Sequence, residues 1–502
     1  MKVGLCDAGA PGRARVDITI RADGRRGSRQ TFAHAAGAAL VIAALGGCAL
    51  EPPGAEAERS RLANAGTAYE TSIEARTLPE LPESPTWRDA LHRALLANGE
   101  LEAAYFEWQA AVQRVEMASA YPNSNVQLGY SYMFSSERMK SFDRQTFSAG
   151  FDPSMSLELP SKVRQRGRLA LDEARAAGEK FRAMKFDVQR RVLSSWAELE
   201  RLARAREIQR ERLALARLGM DLVRAAARAG GVQRDLVRAE KGLRTLENAL
   251  LTLDAEHSAT RAMLNAMLAR DPHAPLSPAP DRPRAFAASD DQVLLAAAER
   301  NPELGALAQQ VRGRADALEL ARLRWLPDVS ASIMATGSVS QALDAMVMLP
   351  TAVREIRGGI REAEAMLRAG EAMLRQARSD RAATVVGTLV ALRNDERQGA
   401  FFEGTLLPLG ERAAALARRA YASGAGSYAD VIEAEGMSLD VRSMIAEARA
   451  SREKRLAELE ALMGTDIETV ACGVPAASIP SAAIASRADL APATSQEATH
   501  EP

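Results

Sequence analysis

Two short glycine-containing turns carry the acidic residues that this sequence offers for chemistry. The first turn, within 225–236, ends with Asp235, and the second, within 420–431, ends with Asp430. Each turn separates two long charge-rich stretches with helical spacing of apolar residues. An aspartate at the start of a helix stabilises that end. Where several chains surround a pore, such carboxylates, with Glu433 one turn later, instead attract cations and repel anions. The two roles are compatible, and we keep both.

The remaining residues that could act in catalysis or bind a metal ion do not occur in the spacing of a known catalytic or metal-binding motif. No motif of a serine hydrolase, zinc protease or P-loop nucleotide-binding protein is present. The histidines beyond the N-terminal segment are His92, His257, His273 and His500, which are far apart. We therefore expect no catalytic residue, no cofactor and no metal site.

Several methionines lie near the predicted strands, and thioethers suit Cu(I). They are Met133, Met139, Met155, Met334, Met346 and Met348. Methionine is more often a packing residue than a ligand, so packing is the simpler interpretation. The balance of 65 Lys+Arg against 65 Asp+Glu gives no support to a nucleic-acid partner.

The N-terminal segment has the order of features of a secretory signal. Arginines precede an apolar run at 33–45, which continues as Leu45-Gly46-Gly47-Cys48 and is too short to span a membrane. The ending resembles the bacterial lipobox, in which cleavage leaves a lipidated N-terminal cysteine. We predict a lipoprotein signal segment at 1–47 with lipidation at Cys48. An ordinary signal peptide with a chance cysteine is the alternative. Prolines in 48–86 predict an extended leader.

The elements that position the turns are mostly long helices. Only 4% of the residues are aromatic and 26% are charged, which is typical of long helices and coiled coils. Within a first unit at 87–270, alternating apolar residues predict strands at about 125–134 and 150–159. A helix then runs from about 161 to 228, roughly 100 Å at 1.5 Å per residue. After the first turn, the chain runs back as a second helix.

A second unit at 287–467 repeats this order after a proline-rich linker at 271–286. Asn301-Pro302-Glu303-Leu304 echoes Asn98-Gly99-Glu100-Leu101, and a Leu-Pro pair precedes both long helices. Strands are predicted at about 328–336 and 342–349, and a disordered tail at 468–502. This many matched landmarks indicates an internal duplication.

The predicted fold is therefore mainly α with a small β part, built from a duplicated helix–strand–strand–long helical hairpin unit. Four strands cannot close a barrel, and an open sheet leaves its edges exposed. Three copies would supply twelve strands and enclose a lumen. We expect a trimeric 12-stranded β-barrel continued by a long periplasmic α-barrel.

From about Trp87 to Gly464 the chain resembles the TolC family of outer-membrane efflux factors. The second turn carries the pattern most closely, through Tyr421, Gly424, Asp430 and Glu433. The resemblance implies an outer-membrane exit duct of a tripartite efflux system, lipid-anchored and extending into the periplasm. Its implied partners are two further copies of the chain, a periplasmic adaptor, an inner-membrane RND or similar transporter, and outer-membrane lipid.

The resemblance also assigns the tip residues. Asp430 and Glu433 would line the periplasmic entrance, and Tyr421 would hold it shut through Asp235. The glycines Gly230, Gly231, Gly424 and Gly426 would form the hairpin tips that contact the adaptor. Gly426 stands where the archetype has an arginine of the closing network, a departure from the family pattern.

A periplasmic coiled-coil scaffold or adaptor without a channel is the alternative function. Such a protein has a single hairpin flanked by β-rich domains. Two hairpins with strand pairs between helices favour the duct, and the missing P-loop means that a partner must supply the energy.

Overall fold

Long helices make up most of the described chain, as the composition predicts. The structure is a computed structural model, and it describes residues 50–120, 126–134, 140–151, 158–228, 233–278, 283–336 and 340–471. All of these residues belong to one unit, Leu50–Pro502. The signal segment, Cys48 and most of the predicted C-terminal tail lie outside the described residues.

Each half of the chain has two shorter helices, two strands and a long helical hairpin, and a further helix precedes these elements in the first half. The first half contains α1 (Ala55–Gly66), α2 (Trp87–Ala97), α3 (Gly99–Ser119), β1 (Val126–Tyr132), β2 (Gln145–Phe151), α4 (Pro160–Arg228) and α5 (Gln233–Met267). The second contains α6 (Asp290–Arg300), α7 (Pro302–Arg322), β3 (Asp328–Thr336), β4 (Ser340–Met348), α8 (Val353–Phe401), α9 (Leu407–Ala422) and α10 (Tyr428–Met463), followed by α11 (Ile467–Ala471). The duplicated order predicted from the sequence is confirmed.

The echoed asparagines begin equivalent helices in the two halves. The Asn98 side chain accepts a hydrogen bond from the Leu101 backbone N–H at 3.0 Å. Asn301 accepts one from the Leu304 N–H at 2.9 Å. Each asparagine is the N-cap of its helix, α3 or α7. The repeated sequence therefore encodes a repeated helix start, since asparagine is among the best N-cap residues.

The strands form one antiparallel sheet in the order β1-β2-β3-β4. Tyr130 on β1 lies opposite Phe147 on β2, with ring centroids 5.2 Å apart. Their side chains are 59% and 50% exposed, so the sheet carries exposed aromatic side chains on one face. β1 and β4 are the edges of the sheet.

The predicted second strand is wrong in position. β2 covers Gln145–Phe151, so it begins before the predicted start at about residue 150, and 158–159 are not strand. The intervening 152–157 lie outside the described residues. Apolar and polar residues also alternate further along the chain, and this alternation suggested the later position. The residues that form the strand are instead selected by cross-strand pairs such as Tyr130–Phe147. The sequence of one strand alone does not reveal these pairs.

The leader is not extended throughout, contrary to the prediction. It contains α1, which buries Leu62 and Glu58 against the first half of the chain. The Trp108 indole N–H donates to the Glu58 carboxylate at 2.9 Å. This hydrogen bond compensates for the burial of the Glu58 carboxylate. The proline-rich composition of the leader gave no reason to expect a buried acidic residue there.

α4 is the central helix of the described chain. It packs against α3 and α5 of its own half and against α7 and α10 of the other half, and α8 packs in turn against α7 and α10. Among the described residues, no helix has a stretch that is both long and apolar enough to cross a bilayer.

The long helix of the second half is interrupted, unlike α4. A π-helical turn at Phe402–Leu406 separates α8 from α9, and Pro408 follows in the first turn of α9. At Gly410, a Cβ atom would lie 3.4 Å from the Ser438 Cα, so α9 and α10 approach closely there. Proline cannot donate the backbone hydrogen bond of a regular helix, which accounts for a break in this segment.

A buried ion pair joins the linker to the end of α10. The Arg284 guanidinium donates to both Glu460 oxygens, at 3.0 and 2.9 Å, and to Glu453 at 2.8 Å. Glu460 also accepts from the Gln189 amide of α4 at 3.1 Å and from the Ile467 N–H at 3.3 Å. Burial lowers the pKa of Arg284, but the two carboxylates outweigh it and raise that pKa above its ordinary value.

We expect Glu460→Ala to lower the free energy of unfolding by about 3 kcal/mol, since removing one partner leaves a buried charge incompletely paired. Glu458→Ala, two residues earlier, removes only a half-exposed contact with Arg455 and should cost under about 1 kcal/mol. Denaturant unfolding of the detergent-purified variants measures both changes. Equal losses would show that the buried pair contributes no more than a surface pair.

Candidate functional site: the tip of the second helical hairpin

The second predicted turn connects α9 to α10 and is described in full. The first lies between α4, which ends at Arg228, and α5, which begins at Gln233. Its glycines, Gly230 and Gly231, lie outside the described residues. We use "second tip" for residues 419–435, and the geometry below concerns that tip.

Gly424 ends α9 in a left-handed conformation, with φ of 76°. The Ala425 N–H donates to the Ala420 carbonyl at 2.9 Å, and the Gly424 N–H donates to the Tyr421 carbonyl at 3.0 Å. This pair of bonds is a Schellman motif, which satisfies carbonyls that the helix end leaves free. The glycine predicted at the tip is therefore required by backbone geometry.

Gly426 is constrained by space instead of by its φ angle. A Cβ atom at this position would lie 3.0 Å from the Ala420 Cβ and 3.4 Å from the Tyr421 N. Any side chain would require a shift of the adjacent helix end. The close turn therefore explains why an arginine would not fit here without rearrangement of the tip.

Asp430 is the third residue of α10 and completes a capping box with Ser427. The Ser427 N–H donates to the Asp430 carboxylate at 2.8 Å, and the Asp430 N–H donates to the Ser427 hydroxyl at 3.2 Å. These bonds lower the pKa of Asp430 below its ordinary value, so the carboxylate stays negative. Ser427 is the N-cap, because its short hydroxyl side chain reaches the N–H of the third helical residue, and Asp430 stabilises the helix start from that third position.

Asp235 occupies the equivalent third position of α5, which begins at Gln233. Its carboxylate lies 3.8 Å from the Arg238 guanidinium, and both side chains are more than half exposed. Surface pairs of this kind contribute little to stability. The two tips therefore place an acidic side chain at the same point of the returning helix.

Tyr421 contacts the other tyrosine of the second tip. The rings of Tyr421 and Tyr428 meet edge to face with centroids 5.3 Å apart, and Tyr421 is 47% exposed. This pair joins the last turn of α9 to the first turn of α10. A link from Tyr421 to Asp235 stays a prediction.

The start of α10 has one buried face and one exposed face. Val431 and Ala434 are buried, whereas Asp430, Glu433 and Met437 are exposed. Ile432 packs towards α4, where a Cβ on Gly219 would lie 2.8 Å from the Ile432 Cδ1. Asp430 and Glu433 therefore share the outer face of α10, as helical spacing predicts.

Sequence reasoning missed Ser427 and Tyr428. Serine three residues before an acidic residue is a signature of a helix start, so the capping box could have been found. The tyrosine pair could not, because it depends on how tightly the turn closes. Among the described residues, no group of three or more His, Cys, Asp or Glu side chains is arranged to hold a metal ion.

We expect Gly424→Ala to destabilise the second tip by about 1–2 kcal/mol, because alanine is strained at positive φ. The control is Gly436→Ala, in the interior of α10, where a Cβ would meet nothing within 4 Å. That change should instead stabilise by about 0.5–1 kcal/mol. Amide hydrogen exchange of α9 and α10 measures both effects, and protection changes of the same sign would contradict the prediction.

Comparison with known proteins agrees with this architecture. Residues 293–465 match the family model described as outer membrane efflux protein, and this range covers nearly all of the second half, including the second tip. No curated protein sequence matches the chain.

Solved structures share the fold at low sequence identity. The outer membrane protein VceC from Vibrio cholerae is 18% identical, with a TM-score of 0.62 over 76% of this chain and 96% of that one. The CmeC outer membrane channel of Campylobacter jejuni is 14% identical, with a TM-score of 0.63 over 80% and 91%. The open state of the Neisseria gonorrhoeae MtrE outer membrane channel is 16% identical, with a TM-score of 0.58 over 78% and 94%.

The fold therefore extends over both halves, and the family match falls on the half whose turn carries the Tyr421–Glu433 pattern. The resemblance inferred from that pattern and from the duplication is confirmed. Residues 293–465 therefore resemble the outer membrane efflux protein family, and the chain has, over most of its length, the fold of solved outer-membrane channels.

Proposed function

We propose that the protein is the outer-membrane exit duct of a tripartite efflux system, passing small molecules or ions to the outside from an inner-membrane pump and a periplasmic adaptor. The observation that carries this proposal is that, within the described residues, the two edge strands of the sheet lack a second neighbouring strand and two long helices expose large apolar side chains. The sheet, the outer helices, the second tip and the N-terminal residues each support a different part of the proposal.

The sheet supports closure by other copies of the chain. β1 and β4 are its edges, and unpaired strand edges bind further strands. Tyr130, Tyr132 and Phe147 are exposed on it, as side chains facing lipid would be. Three copies would supply twelve strands, which is why we propose a homotrimer in contact with outer-membrane lipid.

The helices support the same assembly. α5 and α8 lie on opposite sides of the α4–α10 pair, and both expose large apolar side chains. These are Val237, Leu251 and Met263 on α5, and Met366, Met373, Val386 and Val390 on α8. If the α5 surface of one copy packs against the α8 surface of the next, the copies associate head to tail. Such contacts close into a ring when the rotation between successive copies divides a full turn evenly.

The second tip supplies the proposed entrance. In a ring of three chains, the Asp430 and Glu433 carboxylates of each chain would approach those of the other two chains. The three Asp235 carboxylates would add a second ring of negative charge. Rings of carboxylates favour cations. Tyr421, in the last turn of α9, would be a gate residue of this entrance, and the glycines at 230, 231, 424 and 426 would allow close contact with an adaptor hairpin.

The start of the described chain supports a lipid anchor at Cys48. The Leu50 N–H donates to the Ser119 carbonyl at 3.0 Å. Ser119 is the last residue of α3 and precedes β1. Leu50 is therefore held at the sheet end of the molecule, where a proposed membrane surface would lie, and Cys48 precedes it by only two residues.

The scaffold alternative uses the same hairpins but no channel. It gives no role to a strand pair between the helices of each half or to exposed aromatics on a sheet. These features favour the duct, whose energy would come from an inner-membrane RND or similar transporter.

Bilayer recordings of the detergent-purified protein test the duct. We expect a trimer that conducts cations in preference to anions. Asp430→Asn with Glu433→Gln should reduce that preference several-fold, because it removes the negative charges from the outer face of α10. Glu435→Gln is the matched control, since Glu435 is paired with Arg418 and largely covered. A monomer without conductance would contradict the duct and leave the scaffold.

Lipidation is tested separately by metabolic labelling with palmitate in a Gram-negative host. We expect label on the wild-type protein and none on Cys48→Ala, because that thiol would carry the lipid. Label that persists in Cys48→Ala would contradict this site. Cys472→Ala is the control and should keep the label.

A further inference from the structure

Both long helices begin with a matched pair of exposed arginines. Arg164 and Arg168 are the fifth and ninth residues of α4. Arg357 and Arg361 are the fifth and ninth residues of α8. All four side chains are exposed, and a spacing of four residues places both members of a pair on one helix face. The two halves of the chain therefore present the same positive charges at the sheet end of their long helices.

None of these four guanidinium groups has a partner among the described residues, although nearby charged groups do. Lys162 pairs with Asp328 at 2.7 Å. Glu364 of α8 pairs with Arg322 at 3.7 Å. Like charges four residues apart repel each other on a helix, so each arginine pair slightly destabilises its own helix. A negatively charged partner would reduce this repulsion.

The α4 pair lies on the side of that helix that the leader follows. Gly167, next to Arg168, is close to the leader, because a Cβ at Gly167 would lie 3.4 Å from the Pro52 Cδ. Arg175, two turns after Arg168, is close to the leader as well. A Cβ at Gly54 would lie 2.6 Å from the Arg175 guanidinium. The leader and the α4 pair therefore share one side of the helix.

The leader also indicates the position of these arginines relative to the membrane surface. Pro52 is four residues from Cys48, which is at most roughly 14 Å of extended chain. A leader that carries the proposed lipid anchor would lie outside the duct, so the α4 pair would face outwards close to the membrane surface. The α8 pair occupies the same positions in the duplicated helix, which supports the same orientation for it.

Exposed apolar side chains lie beside the α8 pair. Trp325, in the short helical turn after α7, is 40% exposed, and Leu349, just before α8, is 72% exposed. Arg324 of the same turn is next to α8. A Cβ at Gly359, between the two arginines of the pair, would lie 3.4 Å from its guanidinium nitrogen. Tryptophan is frequent where a membrane meets water, and apolar side chains next to positive charges fit a lipid better than a soluble anion.

We propose that Arg164, Arg168, Arg357 and Arg361 bind the phosphate groups of anionic phospholipids in the periplasmic leaflet of the outer membrane. This site rests on the proposed function, since it requires the sheet to lie in that membrane. A guanidinium donates two parallel hydrogen bonds to a phosphate, and clustered basic residues next to a membrane-spanning element attract anionic lipids. The acyl chains lie towards the exposed apolar side chains. In a trimer, the pairs occur at six places around the duct and fix its height in the membrane.

Native mass spectrometry of the detergent-purified, full-length protein tests this site. The probes are dioleoylphosphatidylglycerol, which is anionic, and dioleoylphosphatidylcholine, which is zwitterionic and has the same acyl chains. We expect the wild-type protein to bind the anionic lipid at least roughly 5-fold more tightly. Arg164→Gln, Arg168→Gln, Arg357→Gln and Arg361→Gln together should remove this preference without changing the affinity for the zwitterionic lipid. Lysine at the same four positions should keep most of the preference, because the charge remains.

The control variant neutralises four exposed basic residues further from the sheet on the same two helices. It combines Lys180→Gln, Lys185→Gln, Arg375→Gln and Arg378→Gln, and it should keep the lipid preference. An equal loss in this variant would show a general effect of net charge and overturn the site, as would a preference that survives neutralisation of the four arginines. Equal competition by glycerol phosphate, which has no acyl chains, would assign the arginines to a soluble anion and overturn the lipid site.

Lipid preference is measured without conductance, so the site and the duct can fail separately. A protein that conducts but shows no preference for the anionic lipid would contradict the site and leave the duct. A protein that binds anionic lipid through these arginines but does not conduct would contradict the duct and leave the site.

Discussion

The buried Arg284–Glu460 ion pair is one of the interactions that join the two halves. Through Glu460 of α10 it connects the linker, α4 and the first residue of α11. A buried guanidinium and a buried carboxylate must each be fully hydrogen-bonded, because either one alone is costly in a low-dielectric interior. Any movement of one half relative to the other at this level would break several of these bonds at once.

A second charged contact joins the halves near the sheet. The Lys162 ammonium donates to the Asp328 carboxylate at 2.7 Å and to the Leu326 carbonyl at 2.9 Å. Lys162 lies in the first turn of α4, and Asp328 is the first residue of β3. α4 is thus tied to the second half near its start through Lys162 and further along through Gln189. These contacts along α4 hold the two duplicated halves together as one folded unit.

Much of this architecture follows from local patterns. The long helix α4, the second turn, β3 and the starts of α3 and α7 are encoded in apolar spacing, proline positions and the Asn98 and Asn301 caps, so the sequence predicts them within a residue or two. β2 was displaced because its position depends on pairing with β1 and β3, which is a long-range constraint. α1 was missed because it is stabilised by burial against α3, including the Glu58–Trp108 hydrogen bond, and not by a strong pattern of its own.

At the second tip, the residue types predicted the chemistry but not every role. Helix-start statistics favour an acidic residue near position 430, and the structure gives that residue a place in a capping box with Ser427. The partner of Tyr421 depends on the closure of the turn around Gly424 and Gly426, so only the folded chain supplies Tyr428.

The π-helical turn at Phe402–Leu406 gives the two hairpins different mechanical properties. α4 is an unbroken helix of 69 residues, so a bend anywhere along it distorts a continuous ladder of hydrogen bonds. In the second half, that ladder is already irregular between α8 and α9, and Pro408 contributes no donor. The elastic cost of bending is therefore lowest at this point. A force applied at the second tip would be absorbed there, while the same force on the first hairpin would be transmitted along α4 towards the sheet.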